Sequence, residues 1–203
     1  MNPIKAIIFD LGRVLVQVDF SRGLLRRFAA ENEHSDRQIL DQAFRDPMFK
    51  KFSRGRLDAE TFHRRLMERF ALPVSFTEFK KMWCDIFSPM EGMENLVEQV
   101  KARYPIGLLS DIDPLHWQFL TENYPILHHF KNPILSYKIG ALKPSPKCYR
   151  SAATAVRQPP RFCLFIDDRP INIIGAKRSG MHTIHFKNPI DLSKRLEKLK
   201  IIG

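Results

Sequence analysis

The sequence predicts an α/β fold, a doubly wound parallel sheet with an inserted bundle of α-helices, and three observations support this. A strand-length apolar run over residues 6–9 stops at Asp10 without polar alternation, which is typical of a strand buried on both faces. Residues 16–89 show the periodicity of amphipathic helices, with no strand predicted among them. From Gly92 onward helices and strands alternate, which indicates a parallel sheet with crossover helices.

Four helices are predicted in the inserted segment. Each starts at a side chain that can accept hydrogen bonds from the free backbone N–H groups of a first helical turn. These side chains are Ser21, Ser35, Asp58 and Ser75, and Gln38 and Glu78 complete capping boxes with Ser35 and Ser75. The last helix is expected to extend through Ile86 and Phe87. We therefore predict a helical domain over residues 16–89 and a core domain of residues 1–15 and 90–203.

The core segment contains four further predicted strands and the helices that connect them. The strands cover residues 106–111, 133–137, 162–166 and 182–186. Proline is favoured in the first turn of a helix, and four predicted helices begin in this way, at Pro114, Pro146, Pro170 and Pro189.

Composition limits the classes of function. The 203 residues fit one domain or a core with an insertion, and the hydrophobic and charged fractions, 44% and 27%, are those of a globular protein. No apolar segment has the length of a membrane span and no signal peptide is recognised, so we expect a cytoplasmic protein. The three cysteines, Cys84, Cys148 and Cys163, do not have the spacing of a disulfide or zinc framework.

The net charge of +11 is the unusual total. It suits an anionic partner, either a phosphorylated metabolite or a nucleic acid. The basic residues are spread along the chain and no nucleic-acid-binding motif accompanies them, so a nucleic-acid partner is not favoured. We expect a small phosphorylated substrate and a monomer or weak homodimer.

Polar side chains lie at the ends of three predicted strands and in the loop after another strand. They are Asp10, Ser110, Lys143, Asp167 and Asp168. The carboxyl ends of parallel strands share one edge of the sheet, so these groups are expected to meet there. Three carboxylates at one place would repel one another without a cation, and hard oxygen ligands that leave room for water suit Mg²⁺.

These residues are the parts of a phosphoryl-transfer site. Asp10 would attack phosphorus and carry the phosphoryl group as an aspartyl-phosphate, which water then cleaves. Lys143 and the metal would share the charge of that group. The Ser110 hydroxyl and the backbone N–H groups around Leu11 and Gly12 would hold its oxygens.

The order of these residues resembles that of the haloacid dehalogenase-like (HAD) superfamily over nearly the whole chain. The matching motifs are Phe9-Asp10-Leu11-Gly12, Leu109-Ser110, Lys143-Pro144, and Ile166-Asp167-Asp168 with Asn172 and Gly175-Ala176. The resemblance implies a Rossmann-like core, an α-helical cap formed by the inserted helices, and a Mg²⁺ site. Its ligands would be Asp10, the Gly12 carbonyl, Asp167 and Asp168. The Asp-Leu-Gly opening is similar to that of the sugar-phosphate phosphatase branch that includes bacterial α-glucose-1-phosphatase.

Two positions depart from the pattern of most phosphatases in the superfamily. Gly12 stands where they carry a second Asp that protonates the leaving group, a role typically worth about 10²–10⁴-fold in rate. Asp111 stands where many relatives carry Asn. It is the first candidate for a substitute acid, ahead of Asp113 or a cap residue, and its alternative roles are helix capping or contact with the cap. Arg13 is either a phosphate clamp or a solvated side chain.

Two other functions fit parts of the sequence. Dehalogenases of the superfamily also lack the second Asp, but they need no magnesium and lack the carboxylate pair Asp167 and Asp168, so the pair favours a phosphatase. A non-catalytic protein that binds phosphate or nucleic acid would agree with Gly12 and the positive charge.

Substrate choice is assigned to the cap, where residues 52–56 are predicted to form a turn between helices. By resemblance, Arg54 or Arg56 would contact an anionic or hydroxylated substrate. A basic, solvated loop is the alternative interpretation of these two residues.

Overall fold

The computed structural model describes residues 3–24, 26, 46–70 and 73–203. Its strands, in chain order, are β1 (Ala6–Phe9), β2 (Val16–Val18), β3 (Phe87–Pro89), β4 (Ile106–Ser110), β5 (Ile134–Leu135), β6 (Cys163–Asp167) and β7 (His182–His185). Its helices are α1 (Pro47–Ser53), α2 (Ala59–Phe70), α3 (Phe76–Cys84), α4 (Met93–Lys101), α5 (Pro114–Asn123), α6 (Ser136–Ile139), α7 (Pro146–Ala155), α8 (Pro170–Arg178) and α9 (Pro189–Lys198).

A parallel sheet with the strand order β5-β4-β1-β6-β7 forms the centre of the molecule. The first strand in the chain is the middle strand, paired with β4 on one side and β6 on the other. Every residue of β1 is buried, because helices cover both faces of the sheet. This confirms the predicted doubly wound fold and the continuous apolar run that identified its first strand.

The two faces of the sheet have different coverings. On one face, Ile7 and Phe9 pack in a cluster with apolar residues of α4, α5 and α9. On the other face, Ala6 and Ile8 pack with residues of α7 and with Ala176 of α8. Alternate side chains of β1 thus hold two helical layers to one sheet, which fixes the position of the strand ends.

The prediction of an all-helical segment up to residue 89 was wrong at both of its ends. Val16–Val18 and Phe87–Pro89 form a two-stranded antiparallel ribbon in which Gln17 lies opposite Ser88. Helix α3 ends at Cys84, so Ile86 and Phe87 are not helical. An apolar pair at the end of an amphipathic pattern suits a helix or a short strand equally, and here the pairing with β2 decides.

The third predicted core strand is shorter than expected. Residues 134–135 form β5, but Ser136 begins the short helix α6, which ends at Gly140 in a left-handed conformation (φ +69°). Helix α1 was not predicted, although Asp46 caps it through Met48 N and Pro47 occupies its first turn. The same Asp-Pro signal begins α5 at Asp113, where it was recognised.

Other predicted helix starts agree with the structure. Ser75 and Glu78 form the predicted capping box, and Asp58 accepts a hydrogen bond from Thr61 N. The predicted helices that start at Ser21 and Ser35 lie largely outside the described residues. Within the described ranges, the helices are all too short or too polar to cross a membrane.

Candidate active site

Three neighbouring strands position the polar side chains of the site. Asp10 directly follows β1, Ser110 is the last residue of β4, and Asp167 is the last residue of β6. The strands are adjacent and parallel, so their carboxyl ends meet at one edge of the sheet. All three side chains are buried.

Lys143 joins the two central carboxylates. Its Nζ lies 2.6 Å from Asp10 Oδ1 and 2.8 Å from Asp167 Oδ2, and it is 3.4 Å from the carbonyl oxygen of Leu109. Burial by itself would lower the pKa of Lys143, but the charges of Asp10 and Asp167 outweigh it and raise the pKa well above its ordinary value. The ammonium group is therefore a permanent positive charge beside Asp10.

The three carboxylates of Asp10, Asp167 and Asp168 present oxygens within 4.8 Å of one another, as the ligands of one metal ion would. Burial, together with the charge of Asp167, raises the pKa of both Asp10 and Asp168, so a cation would favour their ionised forms. Hard oxygen ligands of this kind fit Mg²⁺.

Hydrogen bonds fix the orientation of Asp167. Asn172 Nδ2 lies 3.0 Å from each carboxylate oxygen, and the backbone N–H of Arg169 donates to Oδ1 at 2.8 Å. The other polar atom of the Asn172 amide, Oδ1, is buried and has no hydrogen-bond partner in the described part of the chain. A bound water is the usual partner of a buried acceptor of this kind.

A cavity lies at this edge of the sheet, and the segment after Asp10 forms part of its lining. The N–H of Leu11 donates to Asp10 Oδ1 at 2.7 Å, so in this structure it holds the carboxylate instead of a phosphoryl oxygen. Gly12 and Arg13 line the cavity. Arg13 has a left-handed backbone conformation (φ +60°), and its exposed guanidinium lies 5.7 Å from the centre of the Phe20 ring.

Asp111 also faces the cavity and is hydrogen-bonded to the lysine segment. Its Oδ1 accepts a hydrogen bond from the backbone N–H of Lys143 at 2.9 Å. Burial raises the pKa of the Asp111 carboxyl, against the opposing charge of Lys143. A raised pKa is what a proton donor needs, so the structure keeps Asp111 as a candidate acid.

Arg54 and Arg56 are not among the described residues that line the cavity. Arg54 caps the end of α1 and Arg56 is exposed, whereas Lys50 and Ser53 of the same helix do line it. The sequence analysis missed both. Lys50 lies four residues before Arg54 and Ser53 lies one residue before it, so the predicted position was close along the chain, but the face of α1 that lines the cavity was not recognised.

The cavity above these residues has a volume of about 550 Å³. Its polar floor includes Asp10, Ser110, Lys143 and Asp168. Much of its wall is apolar and comes from the inserted segment and the ribbon, with Phe20, Phe49, Met82, Trp83, Ile86 and Phe87 among its members. A molecule with a small anionic end and a larger apolar body matches this shape.

A hydrogen-bonded cluster of Trp83, Asp113 and His116 connects the inserted segment to α5 beside the cavity. Asp113 Oδ2 lies 2.7 Å from His116 Nδ1 and accepts a hydrogen bond from Trp83 Nε1 at 3.2 Å. His116 Nε2 is 2.8 Å from the Trp83 carbonyl oxygen, and the two rings are parallel at 5.0 Å.

Asp113 was predicted as a possible substitute acid, after Asp111, and its cluster with Trp83 and His116 was not predicted. Burial would raise the pKa of Asp113, but the charge of His116 and the surrounding hydrogen bonds lower it. The Asp-x-x-His spacing at a helix start was the available signal, because residues three apart share a helix face.

Comparison with known proteins agrees with this geometry. The family of haloacid dehalogenase-like hydrolases matches residues 4–180. A D-ribitol-5-phosphate phosphatase of Bacteroides thetaiotaomicron is 26% identical, and the match covers 95% of this chain and 97% of the relative. A glyceraldehyde 3-phosphate phosphatase of Pyrococcus furiosus is also 26% identical, with 92% and 82% covered.

Among solved structures, a HAD family enzyme from Bacteroides thetaiotaomicron in complex with magnesium and inorganic phosphate has a TM-score of 0.80. It is 24% identical, and the alignment covers 91% of this chain and 95% of that enzyme, so the shared feature is the fold. These relatives do not single out the α-glucose-1-phosphatase branch, which stays a prediction. The match over most of the chain shows that the protein is an enzyme of the haloacid dehalogenase-like hydrolase family.

Proposed function

We propose that the protein is a magnesium-dependent phosphatase that acts on a small phosphorylated metabolite through an aspartyl-phosphate on Asp10. The observation that carries this proposal is the contact of one buried ammonium group with two carboxylates, Lys143 with Asp10 and Asp167. The third carboxylate, Asp168, completes a cluster with the donor chemistry of a Mg²⁺ site. The phosphatase names of two relatives support the reaction and the size of the substrate.

The proposed reaction has two displacement steps. A carboxylate oxygen of Asp10 forms a bond to phosphorus while the bond from phosphorus to the leaving oxygen breaks, and that oxygen departs as an anion or takes a proton. Water then attacks the aspartyl-phosphate, which releases inorganic phosphate and restores the carboxylate. Mg²⁺, when bound, would neutralise phosphoryl charge. Lys143 would also neutralise phosphoryl charge, and Ser110 would hold a phosphoryl oxygen.

The inserted segment would choose the substrate, because the floor of the cavity contacts only the phosphoryl group. We propose residues 16–89 as this cap and residues 1–15 and 90–203 as the core, with the β2–β3 ribbon at the junction. Among the described residues of the cap, Lys50 is the cation that lines the cavity, so we assign it the contact that was predicted for Arg54 or Arg56.

The test of the reaction is phosphate release from p-nitrophenyl phosphate. We expect release that needs Mg²⁺ and is lost on chelation and in Asp10→Asn, while the matched exposed variant Asp85→Asn keeps its rate. Undiminished release by Asp10→Asn would overturn the nucleophile. Halide release from a 2-haloacid without Mg²⁺ would show a dehalogenase instead.

The test of the cap contact compares relative rates over a panel of phosphate esters. We expect Lys50→Ala to change the ranking of substrates because it alters the wall of the cavity. Arg54→Ala and Arg56→Ala should leave the ranking unchanged. A reversed result would restore the original assignment.

A further inference from the structure

The apolar wall of the cavity is a fixed surface. Trp83 is held through its indole N–H by Asp113 and through its backbone carbonyl by His116. The Phe49 ring packs on Trp83, with 5.9 Å between ring centres, and on Phe62 at 5.2 Å. These contacts tie the wall to the core helix α5, so its apolar character is a stable property of the site.

The described part of this wall does not suit a polyol. Each hydroxyl of a sugar or sugar alcohol that leaves water needs a hydrogen-bond partner, and an unmet one costs free energy. Among the described wall residues, Asp113 and His116 already bind each other and Trp83. The polar side chains that remain away from the floor of the cavity include Lys50 and Ser53, which suit one anionic or carbonyl substituent more than a row of hydroxyls.

The sequence contributes a second, independent reason. Gly12 offers no side-chain acid beside Asp10, so a leaving oxygen that is stable as an anion has an advantage. A phenol-type hydroxyl has a pKa of about 10, as in tyrosine. Alcohols lie closer to water, at roughly 15.7. An aromatic leaving group therefore suits both the apolar wall and the lack of an acid at position 12.

We propose that the site is built for aryl phosphates, monoesters of an aromatic hydroxyl compound, in preference to phosphorylated polyols. The proposal rests on the proposed phosphatase function and narrows its substrate class. The aromatic ring lies against Phe49 and Phe87, the phosphoryl group lies on the floor at Asp10 and Lys143, and Lys50 faces any anionic substituent of the ring.

Binding to Asp10→Asn in the presence of Mg²⁺ tests the proposal without depending on turnover. Isothermal titration calorimetry with phenyl phosphate and glycerol 3-phosphate should show phenyl phosphate bound roughly 10- to 100-fold more tightly, the gain from burying one ring. Equal affinity, or tighter binding of glycerol 3-phosphate, would overturn it. Tighter binding of phenyl phosphate with no turnover of any ester by the wild type would instead reject the proposed function.

The KM and kcat values of the wild type distinguish the effect of the apolar wall from the effect of Gly12. Benzyl and glycerol phosphates both release an alcohol, so a lower KM for benzyl phosphate measures the wall. Phenyl and benzyl phosphates both carry a ring but differ in the pKa of the leaving oxygen. A kcat about 100-fold higher for phenyl phosphate would therefore show that no group protonates the leaving oxygen efficiently. Similar kcat values for these two would show that another group, with Asp111 the first to test, protonates the leaving oxygen.

Variants of the wall complete the test. Phe49→Asn should weaken the binding of phenyl phosphate about 10-fold and leave the affinity for acetyl phosphate, which is small and polar, unchanged. Phe49→Leu should restore most of the loss, because the wall is apolar again. Phe76→Ala, in the same segment but outside the cavity lining, serves as the control. Loss of both ligands in Phe49→Leu would mean that the ring supports only the fold, and the assignment would fall.

Discussion

Replacing Lys143 by Met should destabilise the protein and make its stability depend strongly on magnesium. The ammonium group is 2.6 Å from Asp10 Oδ1 and 2.8 Å from Asp167 Oδ2, and its side chain is only 2% exposed. Removing one partner of a buried ion pair costs about 3–5 kcal/mol, because the remaining charge stays buried. For a chain of this length, that loss corresponds to a fall in Tm of roughly 6–20 °C.

Magnesium should recover part of the loss, because a divalent cation replaces the missing charge among the same carboxylates. An ion present at about 100 times its Kd stabilises the folded state by about 2.7 kcal/mol. The measurement is thermal unfolding of wild type and Lys143→Met, each with Mg²⁺ and with a chelator. Phosphate release should be absent from the variant under both conditions.

The control is Lys177→Met, which removes an exposed lysine from α8. It should unfold within about 1–2 °C of the wild type, since exposed substitutions usually change stability by less than about 0.5 kcal/mol. A Lys143→Met protein that unfolds at the wild-type temperature without metal, or that keeps its activity, would show that the ion pairs do not hold the site together.

Three further outcomes follow from the site. Gly12→Asp should raise the rate on alkyl phosphates by at least about 10-fold and cost about 1 kcal/mol of stability, because an added Cβ would lie 3.3 Å from Val18 Cγ2; an unchanged ratio of alkyl to aryl rates would contradict this. Trp83→Phe should lower the free energy of unfolding in urea by about 1.5 kcal/mol through loss of the hydrogen bond to the charged Asp113, and no loss would show that the bond has no net value. The pKa of Asp10 is raised in the folded state, so its contribution to stability is present at low pH and is lost as the pH rises through that value. Mg²⁺ binds the ionised form, and its effect on Tm should therefore be larger at about pH 8 than at about pH 5; an equal effect at both would argue against carboxylate ligation.

The sheet could be predicted from local patterns because its strands are buried on both faces. The uninterrupted apolar run before Asp10 has few other interpretations, and the position of a parallel strand end then places the carboxylate at the edge where ligands bind. Lys143 was placed there by motif order. Its contact with two carboxylates at once depends on a loop conformation that no local pattern specifies.

The remaining features depend on contacts between distant segments. Phe87 is in a strand because residues 16–18 lie beside it, and a helical period cannot show that. The cluster of Trp83 and His116 joins α3 to α5 across the cap and core. Arg54 or Arg56 was predicted because a turn was expected to reach the substrate, and Lys50 was not considered; α1 presents Lys50 to the cavity.

The β2–β3 ribbon bears on how much the length of the inserted segment can change. Because Gln17 and Ser88 lie opposite each other, the two ends of the segment between them lie side by side in the ribbon. The entropic cost of closing such a loop rises only with the logarithm of its length, about 0.6 kcal/mol per doubling. The segment between β2 and β3 could therefore be replaced by one of different length without moving the two ends of the insertion. The residues at the strand ends would keep their positions, and the wall of the cavity would change.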